Sequence, residues 1–325
     1  MTGKPIASLS LDLDNAWSYL KTRGDKRWEA MPSYLDLVVP RFLDICARLD
    51  LPLTVFVVGA DAARKENAGA LKKIAAAGCE IGNHSFRHEP WLHLYSRTEL
   101  EEEIESAEKA IEKATGKRPA GFRGPGFSVS PDVLSVLTRR GYAYDASTFP
   151  TIIGPLARLY YFMKAPLSAD EQKTRNRLFG RVSDGFRPIK PYGWVLEDAT
   201  LTEIPVTTMP FLRLPFHLSY LLYLDGWSRA LAKAYFLTAL ALCKTARVAP
   251  SFLLHPLDFT GRGEAEGLDF FPAMDRAAED KLAFAEWALS ALKARFDVVT
   301  MREHAERIGR EPMQLSLPDA HPQAS

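Results

Sequence analysis

Two histidines stand four positions apart in the stretch GNHSFRH (82–88), and two aspartates stand two apart in SLDLDN (10–15). Imidazole is the commonest protein ligand for borderline divalent metals, and side chains at i and i+4 of a helical turn share one face. On their own, His84 and His88 fit a metal pair and a solvated polar face equally well. A third protein ligand and an open coordination position are what a zinc-type catalytic site adds. Asp14 would complete an Asp-His-His set with water in the open position, suited to zinc or a similar ion. Asp12 lies on the same side of an extended strand and is then free to act as a base, although either aspartate also suits a helix cap or a loop. A metal that acidifies water and polarises a carbonyl, beside a carboxylate that takes the proton, is hydrolytic machinery.

Such groups need a scaffold to bring them together. Short β-rich runs at 6–14, 53–59, 79–85, 120–126, 142–147, 201–208, 251–256 and 296–301 alternate with amphipathic helical stretches, among them 34–50, 68–78 and 97–116. Repeated β-then-α units predict an α/β fold, a distorted (β/α) barrel with 7–8 parallel strands. In such barrels, chemistry collects at the C-terminal ends of the strands. Asp12 and Asp14 end the first predicted strand, and His84 and His88 follow the third. Arg123 follows the fourth, Asp145 the fifth and His255 the seventh.

Composition bounds the rest. A chain of 325 residues that is 47% hydrophobic supports one large barrel, expected over 1–308, with an insertion at 151–200, an apolar segment at 209–243 and a disordered tail at 309–325. With 41 basic against 40 acidic side chains, nothing points to nucleic acid. Cys46, Cys79 and Cys243 are odd in number and scattered, which suits a reducing compartment. The N-terminus runs into strand within a few residues, leaving no room for a signal peptide, so the expected location is the cytoplasm.

The ordered set SLDLDNAW, GNHSFRH, GFRGPGFSVS, YAYDAS and FLLHP resembles the motif set of polysaccharide deacetylases, the fourth carbohydrate esterase family, also known as the chitooligosaccharide deacetylase homology domain. The likeness covers roughly residues 6–150 and 200–308. It implies a distorted (β/α) barrel that holds a divalent metal, usually zinc, and removes an acyl group from an amino sugar. It also implies roles: Asp12 as general base, Asp14, His84 and His88 as metal ligands, and Arg123 as the holder of the base. His255 would be the general acid, Asp145 would orient His255, and the Gly126 N–H would help to stabilise the oxyanion. Two departures stand out. The aspartates are separated by Leu13 where the common form has them adjacent, a spacing similar to that of a branch of intracellular amide and formamide hydrolases, some without metal. FRGPGFS replaces the usual Arg-Pro-Pro-Tyr-Gly, which implies a different sugar-facing wall.

The expected function is therefore metal-dependent removal of an acetyl or formyl group from an amino sugar. The alternatives are an allantoinase-like cyclic amidohydrolase and a non-catalytic glycan- or lipid-binding barrel. Between 151 and 190 eight Lys or Arg face three Asp or Glu, the pattern of a solvated loop or of an anion-binding lid. Segment 209–243 is rich in Leu, Phe, Tyr and Trp but too interrupted to span a membrane. It reads as a core helix or as an interfacial hairpin flanked by Arg213, Arg229, Lys233 and Lys244. The second reading suits peripheral contact with the inner membrane face and a sugar carried on a lipid phosphate, as in the aminoarabinose-lipid deformylases that this sequence resembles in motif type. His93, His217, His304 and His321 lack a partner pattern and are expected at the surface or in packing, while Trp17, Trp91 and Trp194 suit either core packing or a sugar-stacking wall.

Overall fold

The structure is a computed structural model that describes residues 3–152, 185–197, 199–308 and 313–316. In β1 (Ile6–Leu13) the side chains alternate: Ala7, Leu9, Leu11 and Leu13 join the main core, while Ser8, Ser10 and Asp12 bond to groups on the opposite face. Parallel neighbours surround it. The remaining strands are β2 (Thr54–Val57), β3 (Glu80–Asn83), β4 (Gly121–Phe122), β5 (Tyr144–Asp145), β6 (Tyr192–Val195), β7 (Thr200–Glu203), β8 (Ser251–Leu254), β9 (Asp297–Val299) and β10 (Gln314–Ser316). They follow the order β10-β6-β7-β5-β4-β3-β2-β1-β8, with β9 also paired to the start of β1. Every pairing is parallel except β6 with β7.

The ladder is open between β7 and β8, yet the gap is crossed just beyond β7. Thr207 N–H donates to the Ser251 carbonyl at 3.1 Å, and Ser251 N–H donates to Thr207 Oγ1 at 2.8 Å. The sheet thus curls back on itself, as a distorted (β/α) barrel does, in agreement with the expected fold. Its inward side holds Phe56, Tyr144, Ala146, Ile204 and Met301, together with a polar set that includes Arg123 and Ser8.

The helices are α1 (Ala16–Arg23), α2 (Leu35–Arg48), α3 (Gly59–Ala62), α4 (Ala68–Ala76), α5 (Arg97–Thr115), α6 (Pro131–Arg139), α7 (Leu218–Trp227), α8 (Arg229–Ala246), α9 (Ala278–Arg295) and α10 (Met301–Arg307). Their ends follow local chemistry. Ser96 and Glu99 form a capping box at the start of α5, and Ser130 caps α6 with Pro131 at its first position. In α10, Met301 packs with Phe56 and Tyr144, and His304 Nδ1 meets Ser8 Oγ at 2.8 Å, closing the end of the barrel away from the strand C-termini.

Several expectations need correction. β6 was not anticipated, and residues 314–316 of the supposedly disordered tail form β10 against it. Leu315 packs beside the cluster of Tyr192, Trp194 and Leu201, and three residues are too few for a periodic signal. Trp194 and Trp17 are buried in packing and not displayed on a wall, and Trp17 Nε1 donates to Asp61. Segment 209–243 is not one core helix: it contains α7 and most of α8, joined at Ser228. Among the described residues no helix is long and apolar enough to cross a membrane. Most of the basic stretch 151–190, from 153 to 184, lies outside the described residues, as do His321 and the rest of the tail.

Candidate active site

Asp14 follows the end of β1, and Tyr34 Oη donates to its carbonyl at 2.7 Å. His84 follows β3, where its N–H donates to the Val57 carbonyl at 2.9 Å. His84 Nδ1 lies 2.6 Å from the Arg123 carbonyl, which can only accept, so Nδ1 carries the hydrogen. Nε2 is thereby turned toward Asp14 Oδ1 at 3.2 Å, and His88 Nε2 approaches the same oxygen at 2.9 Å. One ligand atom from each of the three residues lies within 4.8 Å of the others.

The two histidines do not share a helical turn, as their spacing suggested. They flank a loop in which Ser85 and His88 hold positive φ angles of 61° and 53°, uncommon for residues with a side chain. Buried Glu103 on α5 fastens the loop: its Oε1 accepts from the N–H groups of Phe86 at 3.0 Å and Arg87 at 2.5 Å.

The electrostatics of the trio suit a cation. Burial pushes the Asp14 carboxyl up, but the charge of His88 and hydrogen bonds from both histidines hold it well below the usual carboxylate range. Burial pushes His84 down, and Asp12, Asp14 and the Arg123 carbonyl together carry it above the usual imidazole value. Both shifts express one demand: positive charge is favoured at this point. Two imidazole nitrogens and one carboxylate oxygen are also a donor set suited to zinc or a similar ion. The residues present therefore fit a divalent metal.

Asp12 belongs to a separate contact. Arg123 is fully buried, and its Nη1 donates to Asp12 Oδ1 at 2.6 Å and to Ser10 Oγ at 3.0 Å. Its Nε donates to the Ala146 carbonyl at 3.0 Å, and its guanidinium lies over the Phe56 ring at 4.3 Å. The charge-assisted bond fixes the direction of the Asp12 carboxylate.

Gly126 sits in the single 3-10 turn after β4 with φ +60°, where an added Cβ would come within 2.9 Å of Pro90 Cβ. Glycine is required there by conformation and by space. Asp145 supports this same loop: Ser147 Oγ donates to Asp145 Oδ1 at 2.6 Å and accepts from Gly124 N–H at 2.8 Å. Burial and the neighbouring Glu203 push the Asp145 carboxyl well above the usual range. Asp145 is thus a buried partner of Ser147 and Glu203.

His255 follows β8, whose last residue, Leu254, is in register with Leu11, so His255 and Asp12 leave adjacent strands side by side. Its Nδ1 lies 3.0 Å from Ser219 Oγ on α7, and its N–H donates to Asp258 Oδ2 at 2.8 Å. His217, expected in packing or at the surface, is buried with its ring centroid 6.0 Å from that of His255, and burial, then the charge of His255, lowers it to about 3. The structure thus joins Asp14, His84 and His88 in one group and Asp12 with Arg123 in a second, with His255 on the next strand. Glu103, Ser219 and Asp258 were missed. The run His255-Pro-Leu-Asp258, a turn opened by proline and closed by a carboxylate, carried a signal for Asp258; Ser219 carried none.

Residues 28–144 match the family model described as polysaccharide deacetylase, the family whose motif set the sequence resembles. The matched stretch contains His84, His88, Arg123 and Gly126 and leaves Asp12, Asp14 and His255 outside. The chain is similar to a peptidoglycan deacetylase-like protein of Gibberella zeae, 31% identical over 134 residues, covering 40% of this chain and 38% of the relative. It is also similar to a chitooligosaccharide deacetylase of Sinorhizobium fredii, 32% identical over 105 residues, covering 32% of this chain and 47% of the relative. Both matches span less than half of those relatives. The crystal structure of a putative polysaccharide deacetylase from Mycobacterium smegmatis shares the fold, with a TM-score of 0.63 at 18% identity over 98% of this chain and 96% of that one.

Proposed function

We propose that this chain is a metal-dependent hydrolase that removes an acetyl or formyl group from the nitrogen of an amino sugar. The observation that carries the reading is the meeting of Asp14, His84 and His88 at one carboxylate oxygen, at the barrel end where Asp12 and His255 leave neighbouring strands. A divalent ion held there would polarise the acyl carbonyl and acidify the attacking water. The remaining chemistry belongs to the side chains. Asp12, held by Arg123, takes the water's proton, and we assign to the Gly126 backbone a share in stabilising the negative charge that develops on the acyl oxygen. His255 gives a proton to the nitrogen as the carbon–nitrogen bond breaks. The names of the Gibberella and Sinorhizobium relatives, a peptidoglycan deacetylase-like protein and a chitooligosaccharide deacetylase, support the bond class.

Metal analysis tests the trio. The purified protein should carry about one divalent ion per chain, and Asp14→Ala and His84→Ala should lose both the ion and turnover. Unchanged metal content and unchanged turnover in both variants would defeat the assignment.

We further propose that the sugar is presented on a lipid phosphate and that the protein works at an anionic membrane face in the cytoplasm. α7 is apolar on both sides: Leu218, Leu221 and Leu222 pack inward, while Trp227 is 78% exposed, followed on α8 by Leu231 at 55%. Nearby in sequence, Phe211 is 76% exposed, and Arg213, Arg229, Lys233 and Lys244 supply cationic charge. Rings run outward from the centre: His255 to His217 at 6.0 Å, His217 to Tyr220 at 6.3 Å, Tyr220 to Tyr223 at 6.3 Å and Tyr223 to Trp227 at 6.5 Å. An aromatic and basic surface of this kind suits the headgroup boundary. Cys46, Cys79 and Cys243, all buried free thiols, support a reducing compartment. Flotation with phosphatidylglycerol vesicles should show binding that weakens as salt rises, and Trp227→Ser with Leu231→Ser should reduce it. No flotation at low salt, together with equal rates on free and lipid-linked sugars, would sink this part of the reading.

A further inference from the structure

Asp145 and Glu203 stand in register on β5 and β7, parallel neighbours about 4.8 Å apart, so their side chains leave the sheet on the same face. Both are fully buried. Glu203 is rich in donors: its Oε1 accepts from Thr148 N–H at 3.0 Å and Thr148 Oγ1 at 2.6 Å, and its Oε2 accepts from Trp194 Nε1 at 3.0 Å. A carboxylate oxygen has two lone-pair positions, so one place on Oε2 remains open. Asp145 is poor in donors. Ser147 gives its single hydroxyl hydrogen to Oδ1 at 2.6 Å, and Oδ2 is buried with no hydrogen-bond partner among the described residues. Two adjacent buried carboxylates do not both stay ionised. The donor count leaves the charge on Glu203 and puts a hydrogen on Asp145 Oδ2, which the open place on Glu203 Oε2 can accept.

We propose that Asp145 and Glu203 share one proton and act as a positioning pair, an acid hydrogen-bonded to a carboxylate, that braces the loop carrying Gly126. The link to the loop is Ser147, whose Oγ accepts from the Gly124 N–H at 2.8 Å while it donates to Asp145. The benefit of the brace for turnover rests on the role assigned to Gly126 above; the shared proton does not. Burial, then the Glu203 charge, holds the Asp145 carboxyl in its neutral form well above the usual range. Tyr192 on β6 is in register with Glu203 and is pushed up by burial and by the Glu203 charge, and Arg187 lies 5.4 Å from the Trp194 ring. Arg123 approaches from the end of β4, its Nε on the Ala146 carbonyl at 3.0 Å, and the face that α6 buries is wholly apolar. A carboxyl raised in the folded state adds stability at low pH and loses it as pH rises through its folded value. Asp145→Asn puts a permanent N–H where the shared proton sits, so it escapes that loss.

Infrared spectra of the full chain at about pH 8 should contain a protonated carboxyl band, shifted in heavy water, that is absent from Asp145→Asn. In urea unfolding, the gap between the two midpoints should widen in favour of Asp145→Asn from about pH 5 to about pH 9. Glu203→Gln turns an amide nitrogen onto at least one of the three donors and should lower the midpoint throughout that range. Hydrogen exchange reads the brace: the Gly124 amide should exchange at least about tenfold faster in Glu203→Gln and in Ser147→Ala, and near the wild-type rate in Asp145→Asn. A carboxyl band that survives in Asp145→Asn, or a stability gap that does not change with pH, would overturn the shared proton. Unchanged Gly124 exchange in Ser147→Ala would overturn the brace. None of these readouts needs metal or turnover. Failure to hydrolyse any N-acyl amino sugar, with the band and the pH-dependent gap as stated, would defeat the assigned reaction and leave the pair standing; hydrolysis without them gives the reverse.

Discussion

On the proposed reaction, Asp12→Asn should keep a bound metal and lose turnover by at least about a hundredfold, the scale of a lost general base. Asparagine has nearly the shape of aspartate, and its carbonyl oxygen still accepts the 2.6 Å bond from Arg123 Nη1. The charge proposed to receive the water's proton would be gone, at a cost to the transition state of roughly 2.7 kcal/mol or more. The metal trio is assembled without this residue, since the bonds to His84 and His88 come from Asp14. Metal analysis beside kcat separates the two roles. Loss of the ion from Asp12→Asn would make Asp12 a ligand and end the division of labour between the two aspartates.

The face on which Asp12 lies was legible in the sequence because strand geometry is local. The alternation in ASLSLDL places Ser8, Ser10 and Asp12 on one face and the leucines on the other, and the structure follows it residue by residue. The order of predicted strands was legible for the same reason: each pairs its alternating or apolar run with a helix bearing an apolar stripe, as α2 does with Leu35, Val38, Val39, Phe42, Ile45 and Cys46. Contacts set by tertiary packing were not legible. Ser219 stands on α7 and reaches His255 across 36 positions, and nothing in its neighbourhood distinguishes it from any other helical serine. Asp145 likewise ends a strand, and tertiary packing sets Ser147 and Glu203 beside it. A strand-end position states which rim a side chain can reach and leaves its partner undetermined.

Arg123→Met should lower stability by about 3–5 kcal/mol in urea unfolding, the usual cost of breaking a buried ion pair by removing one partner. The methionine fills much of the same space and can keep its packing against Phe56, so the loss comes mainly from the Asp12 carboxylate, left buried without its cation. The double variant Asp12→Asn, Arg123→Met removes both charges and should recover most of that loss, because a buried pair replaced as a unit is often close to neutral. The reason lies in what Arg123 costs the wild-type protein. Its Nη2 is buried and, among the described residues, has no hydrogen-bond partner, so the guanidinium is incompletely satisfied. A residue kept there despite that penalty is explained by the direction it imposes on Asp12, and turnover in Arg123→Met should fall alongside stability. If Arg123→Met unfolds at the wild-type urea concentration, or if the double variant is as unstable as the two single losses added, the coupling between Arg123 and Asp12 is absent. The base would then be held by something other than this arginine.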